Sequence, residues 1–295
     1  MDLMLEVERL EKSFGPHKVL RELSFAAPRG ALMGFLGPNG AGKTTTIRIL
    51  LGLLRASGGA CRLFGEDVWR RGFALRRRVG YLPGEVHFYD RLTGLGTLQF
   101  LASARHADCL GEGRRLAECF GLELHRRVRD YSTGMRQKLG LIQAMMHRPE
   151  LLILDEPSTG LDPLVRQTLY DELRGARTAG RTILFSSHSL NEVESLCDEV
   201  VIVRDGEVVE DSSIEKLRER AVRRVRVRFT SEPAEAPDSF RVVSRGDGTW
   251  EGTWTSDVNA MLVWLRDFAV ADLQIEPPDL EDLFLAYYET ESGDD

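Results

Sequence analysis

The sequence predicts an α/β fold built around a parallel sheet, followed by a small α+β module. Three observations carry this. The apolar run Ala31-Leu32-Met33-Gly34-Phe35-Leu36 leads into Gly37-Pro38-Asn39-Gly40-Ala41-Gly42-Lys43-Thr44, and Thr45-Thr46-Ile47-Arg48-Ile49-Leu50-Leu51 then opens a helix. Leu151-Leu152-Ile153-Leu154 and Thr182-Ile183-Leu184-Phe185 are near-continuous apolar runs ending in polar residues. Buried parallel strands read this way, with function at their carboxyl ends. Composition shifts near residue 212, after which Arg224-Val225-Arg226-Val227-Arg228-Phe229 alternates strictly and places Val225, Val227 and Phe229 on one face.

The glycine loop has its own chemistry. Gly37 to Thr44 fits G-x-x-x-x-G-K-[ST], the phosphate-binding P-loop. Glycines let backbone N–H groups turn inward, and the following helix adds its positive dipole end. Lys43 reaches the β/γ-phosphates and the Thr44 hydroxyl holds Mg²⁺ in this arrangement. Strand before and helix behind are the context the motif requires.

A chain of 295 residues accommodates one large domain and a small one. Hydrophobic content of 42% and charged content of 29% are those of a soluble globular protein, and a net charge of −7 argues against wholesale nucleic-acid binding. Cys61, Cys109, Cys119 and Cys197 show no CxxC pairing, which favours small thiols in a reducing compartment. No apolar run is long enough to span a bilayer, so work at a membrane requires docking onto something that spans it.

In order along the chain, Leu5 to Leu10 alternates like a strand and Val19 to Phe25 can pair with it. Lys12-Ser13-Phe14-Gly15 reads as the connection between them, with Phe14 either a packed loop residue or a stacking surface for adenine. Gly58-Gly59 reads as a flexible break and Arg76-Arg77-Arg78 as a solvated face. Residues from about Thr93 to Arg129 read as helical, capped by Thr93, with Leu95, Leu98, Phe100 and Leu101 apolar. Ser132 and Thr133 cap another helix, whose Leu139, Ile142 and Met146 share a face and which Pro149 stops. Asp155 and Glu156 end one apolar strand, and two carboxylates there are costly without a metal or hydrogen-bonded partner. His188 ends another, a position that favours a catalytic role over a structural one. Asp205-Gly206 between valine runs signals a hairpin. Past residue 215 the chain reads as a short strand from Trp250 to Trp254, an amphipathic helix from Val258 to Phe268 and a last helix from Asp279 to Tyr288.

Together these residues resemble the ATP-binding-cassette (ABC) ATPases, over residues 1 to about 215. The resemblance implies an ABC-type nucleotide-binding domain over 1–215, with a helical insertion at about 90–148, and an accessory domain over 216–295. Gly37 to Thr44 matches the Walker A loop, which with Thr45 binds ATP. Leu151 to Glu156 matches Walker B, so Asp155 joins Thr44 in holding Mg²⁺ and Glu156 polarises the attacking water. Ser132-Thr133-Gly134-Met135 sits where the family's signature sits, Ser158-Thr159-Gly160-Leu161-Asp162 matches the D-loop, His188 the switch histidine and Phe14 the adenine-stacking aromatic. Two cassettes of the family pair head to tail, so that Ser132 and Gly134 of one chain cap the γ-phosphate held by Lys43 of the other.

Catalysis by Glu156, His188 and Lys43, powering a transporter whose membrane-spanning permease subunits are separate chains, is what the resemblance implies. It also implies a homodimer on the cytoplasmic face of the membrane. Pro278 to Leu285 resembles the C-terminal motif of bacterial exporters of drugs, antibiotics or lipids. Rival readings are a soluble ABC ATPase on ribosomes or DNA, against which one cassette and the negative charge argue, and a weakly hydrolysing nucleotide sensor.

The sequence departs from the family pattern in places. Tyr131, Thr133 and Met135 replace the signature's leucine, one of its glycines and its glutamine. Gly84 stands where the family has a glutamine, with Glu85 beside it. Either Glu85 turns inward to the metal, or it faces the membrane subunit and water fills the metal position. Successive residues of an extended loop point opposite ways, which favours the second.

Overall fold

The computed structural model describes residues 2–220, 223–231, 233 and 235–276, which form two compact units dividing after Ile214. The last helix and the exporter-like motif expected over 278–288 lie outside the described residues.

The first unit runs β1 (Leu3–Phe14), β2 (His17–Pro28), β3 (Leu32–Leu36), α1 (Lys43–Leu50), β4 (Gly58–Leu63), β5 (Glu66–Asp67), α2 (Val68–Arg76), β6 (Val79–Leu82), α3 (Gly94–Arg105), α4 (Leu110–Cys119), α5 (Thr133–Met145), β7 (Leu151–Asp155), α6 (Pro163–Thr178), β8 (Thr182–Ser187), α7 (Leu190–Leu196), β9 (Glu199–Arg204) and β10 (Glu207–Ser213). An antiparallel sheet has the order β2-β1-β4-β5, and a second sheet the order β10-β9-β3-β8-β7-β6. In the second, β9, β3, β8, β7 and β6 run parallel and β10 turns back antiparallel. Every residue of β3, β7 and β8 is buried, which is why each reads as a near-continuous apolar run. One core joins the two sheets through α1, with Leu5, Phe25, Phe35, Ile47, Leu50 and Ile153 among its members.

Strand order decides what meets what. β8 lies between β3 and β7, with Leu36 opposite Ser187 and Ser186 opposite Asp155. The carboxyl ends of three strands distant in sequence therefore finish side by side, each about 4.8 Å from the next.

Several expectations are corrected. Lys12, Ser13 and Phe14 belong to β1, because Ser13↔Lys18 and Phe14↔His17 pairing carries the hairpin to its tip and leaves only Gly15-Pro16 to connect. Gly58 opens β4 opposite Glu11 of β1, and Gly59, at φ 77°, sits in a bulge of the same ladder against the Arg9 carbonyl, so the pair is part of the sheet and no flexible break. The expected helix over 93–129 is α3 and α4 followed by a 3-10 turn at Val128–Asp130, since His106 takes a left-handed φ of 52° that ends α3. Thr93 does cap α3, accepting from the Gly96 N–H at 3.0 Å. Phe100 is exposed and meets the Tyr89 ring edge-on. Of the arginine run, Arg78 pairs with Glu150 at 2.5 Å and stacks 3.7 Å over Phe64, Arg76 donates to the Leu51 carbonyl, and the exposed Arg77 lies 5.8 Å over the Phe73 ring, so the run is a partly solvated face with fixed partners.

A helix α8 (Ile214–Arg220) crosses the division. The second unit has β11 (Arg223–Phe229), β12 (Phe240–Gly246), β13 (Thr249–Trp254), α9 (Val258–Leu265) and β14 (Val270–Ile275). Its antiparallel sheet has the order β12-β13-β11-β14, with β12 and β14 unanticipated. Val225, Val227 and Phe229 face inward as their alternation requires, and pack with Trp250, Trp254, Met261 and Leu265. Asp257 caps α9 through the Ala260 N–H.

Two side chains fix α5 to β6: Gln143 donates to the Tyr81 carbonyl at 2.6 Å, and His147, just past α5, donates from Nε2 to the Val79 carbonyl at 3.2 Å. Burial, aided by Arg105 nearby, lowers the His147 pKa to about 4. Between pH 6.5 and 4 the unfolded chain takes up a proton there that the native state refuses, so stability falls as pH falls through that window, by at most about 3 kcal/mol. Denaturant unfolding of wild type and His147→Gln at pH 7 and pH 5 checks this. The variant is expected to lose less stability on acidification, and equal losses would show that His147 does not set the slope.

Candidate active site

The site begins where β3 ends. Its last residue, Leu36, is buried, and the chain turns back through 37–42 into α1. Gly42 takes φ 102°, and a Cβ there would come within 2.5 Å of Leu20 Cδ2, so both conformation and space require glycine. It is the N-cap of α1 without a side-chain cap, which leaves the first-turn N–H groups directed at the loop's hollow. Asn39 and Gly40 form the exposed tip, while Ala41 is buried and its carbonyl accepts from the Gly206 N–H.

Lys43 is only 6% exposed. Its ammonium donates to the carbonyls of Gly37 and Pro38 and lies 3.4 Å from Glu156 Oε1. Thr44 donates its hydroxyl to Asp155 Oδ2 at 2.8 Å, and Ser186 donates to Oδ1 at 2.8 Å. The buried Asp155 carboxylate thus has a hydroxyl on each oxygen, which meets the cost of placing it there. Beyond β7, Glu156 turns into the left-handed region at φ 51°. Its Oε2 accepts from His188 Nδ1 at 2.8 Å, and its buried Oε1 has no hydrogen-bond partner.

Thr44 and Asp155 form one bonded pair and Lys43, Glu156 and His188 a second set, brought together because Lys43 precedes Thr44 and Glu156 follows Asp155; Phe14, Thr45, Ser132, Gly134 and Asp162 stand outside these bonds. Phe14 is half-exposed at the end of β1, with the Lys12 ammonium 4.8 Å from its ring. Thr45 is half-buried in the first turn of α1. Ser132 caps α5 through the Met135 N–H at 3.2 Å. A Cβ on Gly134 would come 2.8 Å from the Gly160 carbonyl, so glycine lets α5 approach the loop after β7. Asp162 caps α6, accepting from the Val165 N–H at 3.0 Å. Tyr131 is a buried anchor whose hydroxyl donates to the Glu123 carbonyl at 2.6 Å, a bond leucine could not make.

The Gly84 question has a geometric answer. A Cβ on residue 84 would lie 3.6 Å from Asp155 Oδ2, whereas the Glu85 side chain is 91% exposed, 3.7 Å from His87. Position 84 faces the carboxylate and Glu85 faces away. Sequence reasoning passed over Ser186 and Gln137. Ser186 could have been found as a hydroxyl on the strand between the two motif strands; Gln137 had no such signal.

A lysine under a glycine loop, beside a hydroxyl–carboxylate pair at neighbouring strand ends, defines a P-loop nucleotide-binding protein. Residues 20–159 match the family model described as ABC transporter. The chain is 32% identical to the uncharacterized ABC transporter ATP-binding protein YhcH of Bacillus subtilis, over 97% of this chain and 96% of that protein. It is 34% identical to the Nod factor export ATP-binding protein I of Paraburkholderia xenovorans, over 95% of each. A solved ATP-binding subunit of an ABC transporter superposes with a TM-score of 0.68 at 32% identity, covering 73% of this chain and 92% of that one. The chain belongs to the ABC transporter ATP-binding proteins. Among the described residues no helix is long and apolar enough to cross a membrane.

Ser186→Ala removes one of the two bonds that hold the Asp155 carboxylate, at a buried strand end. It is expected to destabilise the fold by about 1–3 kcal/mol in denaturant unfolding. Unchanged stability would show that Oδ1 is satisfied without the serine.

Proposed function

We propose that this chain binds and hydrolyses Mg²⁺–ATP, and that a pair of such chains on the cytoplasmic face of the membrane powers export through separate permease subunits. The observation that supports hydrolysis most directly is the Glu156 carboxylate: one oxygen is held by His188 and the other lies buried beside the Lys43 ammonium without a hydrogen-bond partner.

The donor set fits a magnesium triphosphate. Thr44 Oγ1 and Asp155 Oδ2 are hard oxygens already 2.8 Å apart, and Thr44 follows the lysine that reaches the phosphates. Bound magnesium would neutralise charge developing on the phosphate oxygens. The residues do the rest by position. Lys43 exchanges its loop carbonyls for β/γ-phosphate oxygens, and the α1 N-terminus with the 37–42 loop cradles the phosphates. Glu156 Oε1 accepts a proton from a water as its oxygen bonds to the γ-phosphorus; the bond to the β-bridging oxygen breaks and ADP leaves with its electron pair. His188 holds Oε2 so that Oε1 keeps its aim. Phe14 offers a half-exposed ring to the adenine. Ser132 and Gly134, at the N-terminus of α5 with Ser132 exposed, cap the γ-phosphate held by the other chain, and Asp162 lies in the neighbouring loop.

Likeness to a Nod factor export protein along nearly the whole chain supports export. The transported molecule is chosen by the membrane subunit. Glu85, exposed and turned from Asp155, is a contact for that subunit, and with no side chain at Gly84 water would complete the magnesium shell that Thr44 and Asp155 would hold.

Two experiments follow. Glu156→Gln keeps ATP binding and reduces turnover at least 100-fold, since an amide accepts no proton where general bases supply about 10²–10⁴-fold. Radiolabelled ATP binding and phosphate release measure both, and near-normal hydrolysis would remove Glu156 from this role. Glu85→Ala leaves hydrolysis by the isolated protein within about two-fold while transport by the reconstituted complex declines, as expected for an exposed side chain outside the metal shell. A large loss of basal hydrolysis with a raised Mg²⁺ requirement would place Glu85 in that shell instead.

A further inference from the structure

Glu156 occupies a backbone conformation that a side-chain-bearing residue keeps only where its surroundings over-determine it. Its N–H donates to the Ser186 carbonyl at 3.2 Å, and its carbonyl accepts from the Thr159 N–H at 3.2 Å. A third restraint comes from elsewhere. Gln137, on α5 and 6% exposed, donates from Nε2 to the Glu156 carbonyl at 3.4 Å and to the Pro157 carbonyl at 3.1 Å. A primary amide nitrogen has two hydrogens, and two successive carbonyls receive them. With carbonyl oxygens on both sides, the nitrogen must face them, so the neighbours themselves fix the amide's orientation.

We propose that Gln137 is a positioning residue for ATP hydrolysis. Its amide holds the Glu156–Pro157 backbone in the left-handed turn that brings the Glu156 carboxylate between His188 and Lys43. This rests on the reading of Glu156 as the proton acceptor.

The geometry favours this over a merely space-filling glutamine. A buried amide is costly unless its hydrogens are used, and here they are used on a turn whose first residue, Glu156, is left-handed. The same helix starts at Ser132 and touches the Gly160 carbonyl through Gly134, so α5 braces both ends of the loop after β7. Gln137 sits one turn behind the residues proposed to meet the other chain's nucleotide. A displacement of α5 by that contact is transmitted through its amide to the Glu156 backbone.

The test uses the full chain with Gln137→Leu, which keeps the volume and removes both donors, and Gln137→Asn, which keeps an amide but withdraws it by one methylene. Steady-state hydrolysis gives kcat and KM, binding of radiolabelled ATP gives affinity, and thermal unfolding gives stability. Both variants are expected to lower kcat at least ten-fold while KM and ATP affinity stay within two-fold and a normal folding transition remains. In a Glu156→Gln background, followed by single turnover, adding Gln137→Leu is expected to change the residual rate less than two-fold, because the glutamine acts through the glutamate.

A kcat within two-fold of wild type in both variants would overturn the proposal. So would a kcat loss matched by the loss of folded, ATP-binding protein, or a full further loss in the Glu156→Gln background. Failure of the underlying reading has a separate signature: Glu156→Gln alone would then hydrolyse at a near wild-type rate, and the role of Gln137 would fall with it.

Discussion

The parallel register of β3, β8 and β7 governs which side chains of this protein can act together. Hydrogen bonding sets Leu36 opposite Ser187 and Ser186 opposite Asp155, so the three strands end level. Thr44 and Asp155 are 111 residues apart in sequence, yet their oxygens meet at 2.8 Å. A slip of one residue in any strand would turn its side chains to the opposite face and dissolve the group. Burial of all three strands makes such a slip costly, and the core that fixes register is the same core that closes against α1.

Charge within this frame is held tightly. Two successive carboxylates, Asp155 and Glu156, lie at the end of β7 with one ammonium, Lys43, beside Glu156, in a region largely shielded from water. Each has dedicated partners: hydroxyls for Asp155, and the imidazole with the ammonium for Glu156. Those partners keep the arrangement stable while leaving an excess of negative charge, which a divalent cation would balance. The strain at Glu156 belongs to the same economy of placement, because a left-handed turn at the strand end redirects the carboxylate toward Lys43 and His188.

The second unit follows a different physical logic. Among the described residues its four-stranded sheet and α9 provide little aliphatic core, and aromatic rings add to it. Phe229 meets Trp250, Trp264 and Phe268 edge-on with centroids 5.3 to 6.1 Å apart, an arrangement that adds to simple burial. Opposite, the arginines of β11 face outward, and Arg226 pairs with Glu251 at 2.9 Å. That is a solvated sheet face, as its strict alternation indicated.

The amino-acid sequence by itself determined the central strands and the chemistry of the nucleotide loop. Gly42, Lys43 and Thr44 could be read because a phosphate cradle is a local structure: one strand, one turn and one helix end set it. Strands β3, β7 and β8 were legible from their apolar runs, and the Ser132 and Thr93 caps from residue type. Local periodicity did not show that the 93–129 segment breaks at His106, nor that Gly58-Gly59 would find a ladder partner in β1, since both depend on contacts with other segments. Tertiary structure alone decided that Ser186 supports Asp155, that Gln137 reaches the Glu156 turn, and that position 84 faces the carboxylate while Glu85 turns to solvent. Each of these is a bond or an approach between residues far apart in the chain, and the direction of a side chain in space is fixed by strand order and packing, which no local run of sequence contains.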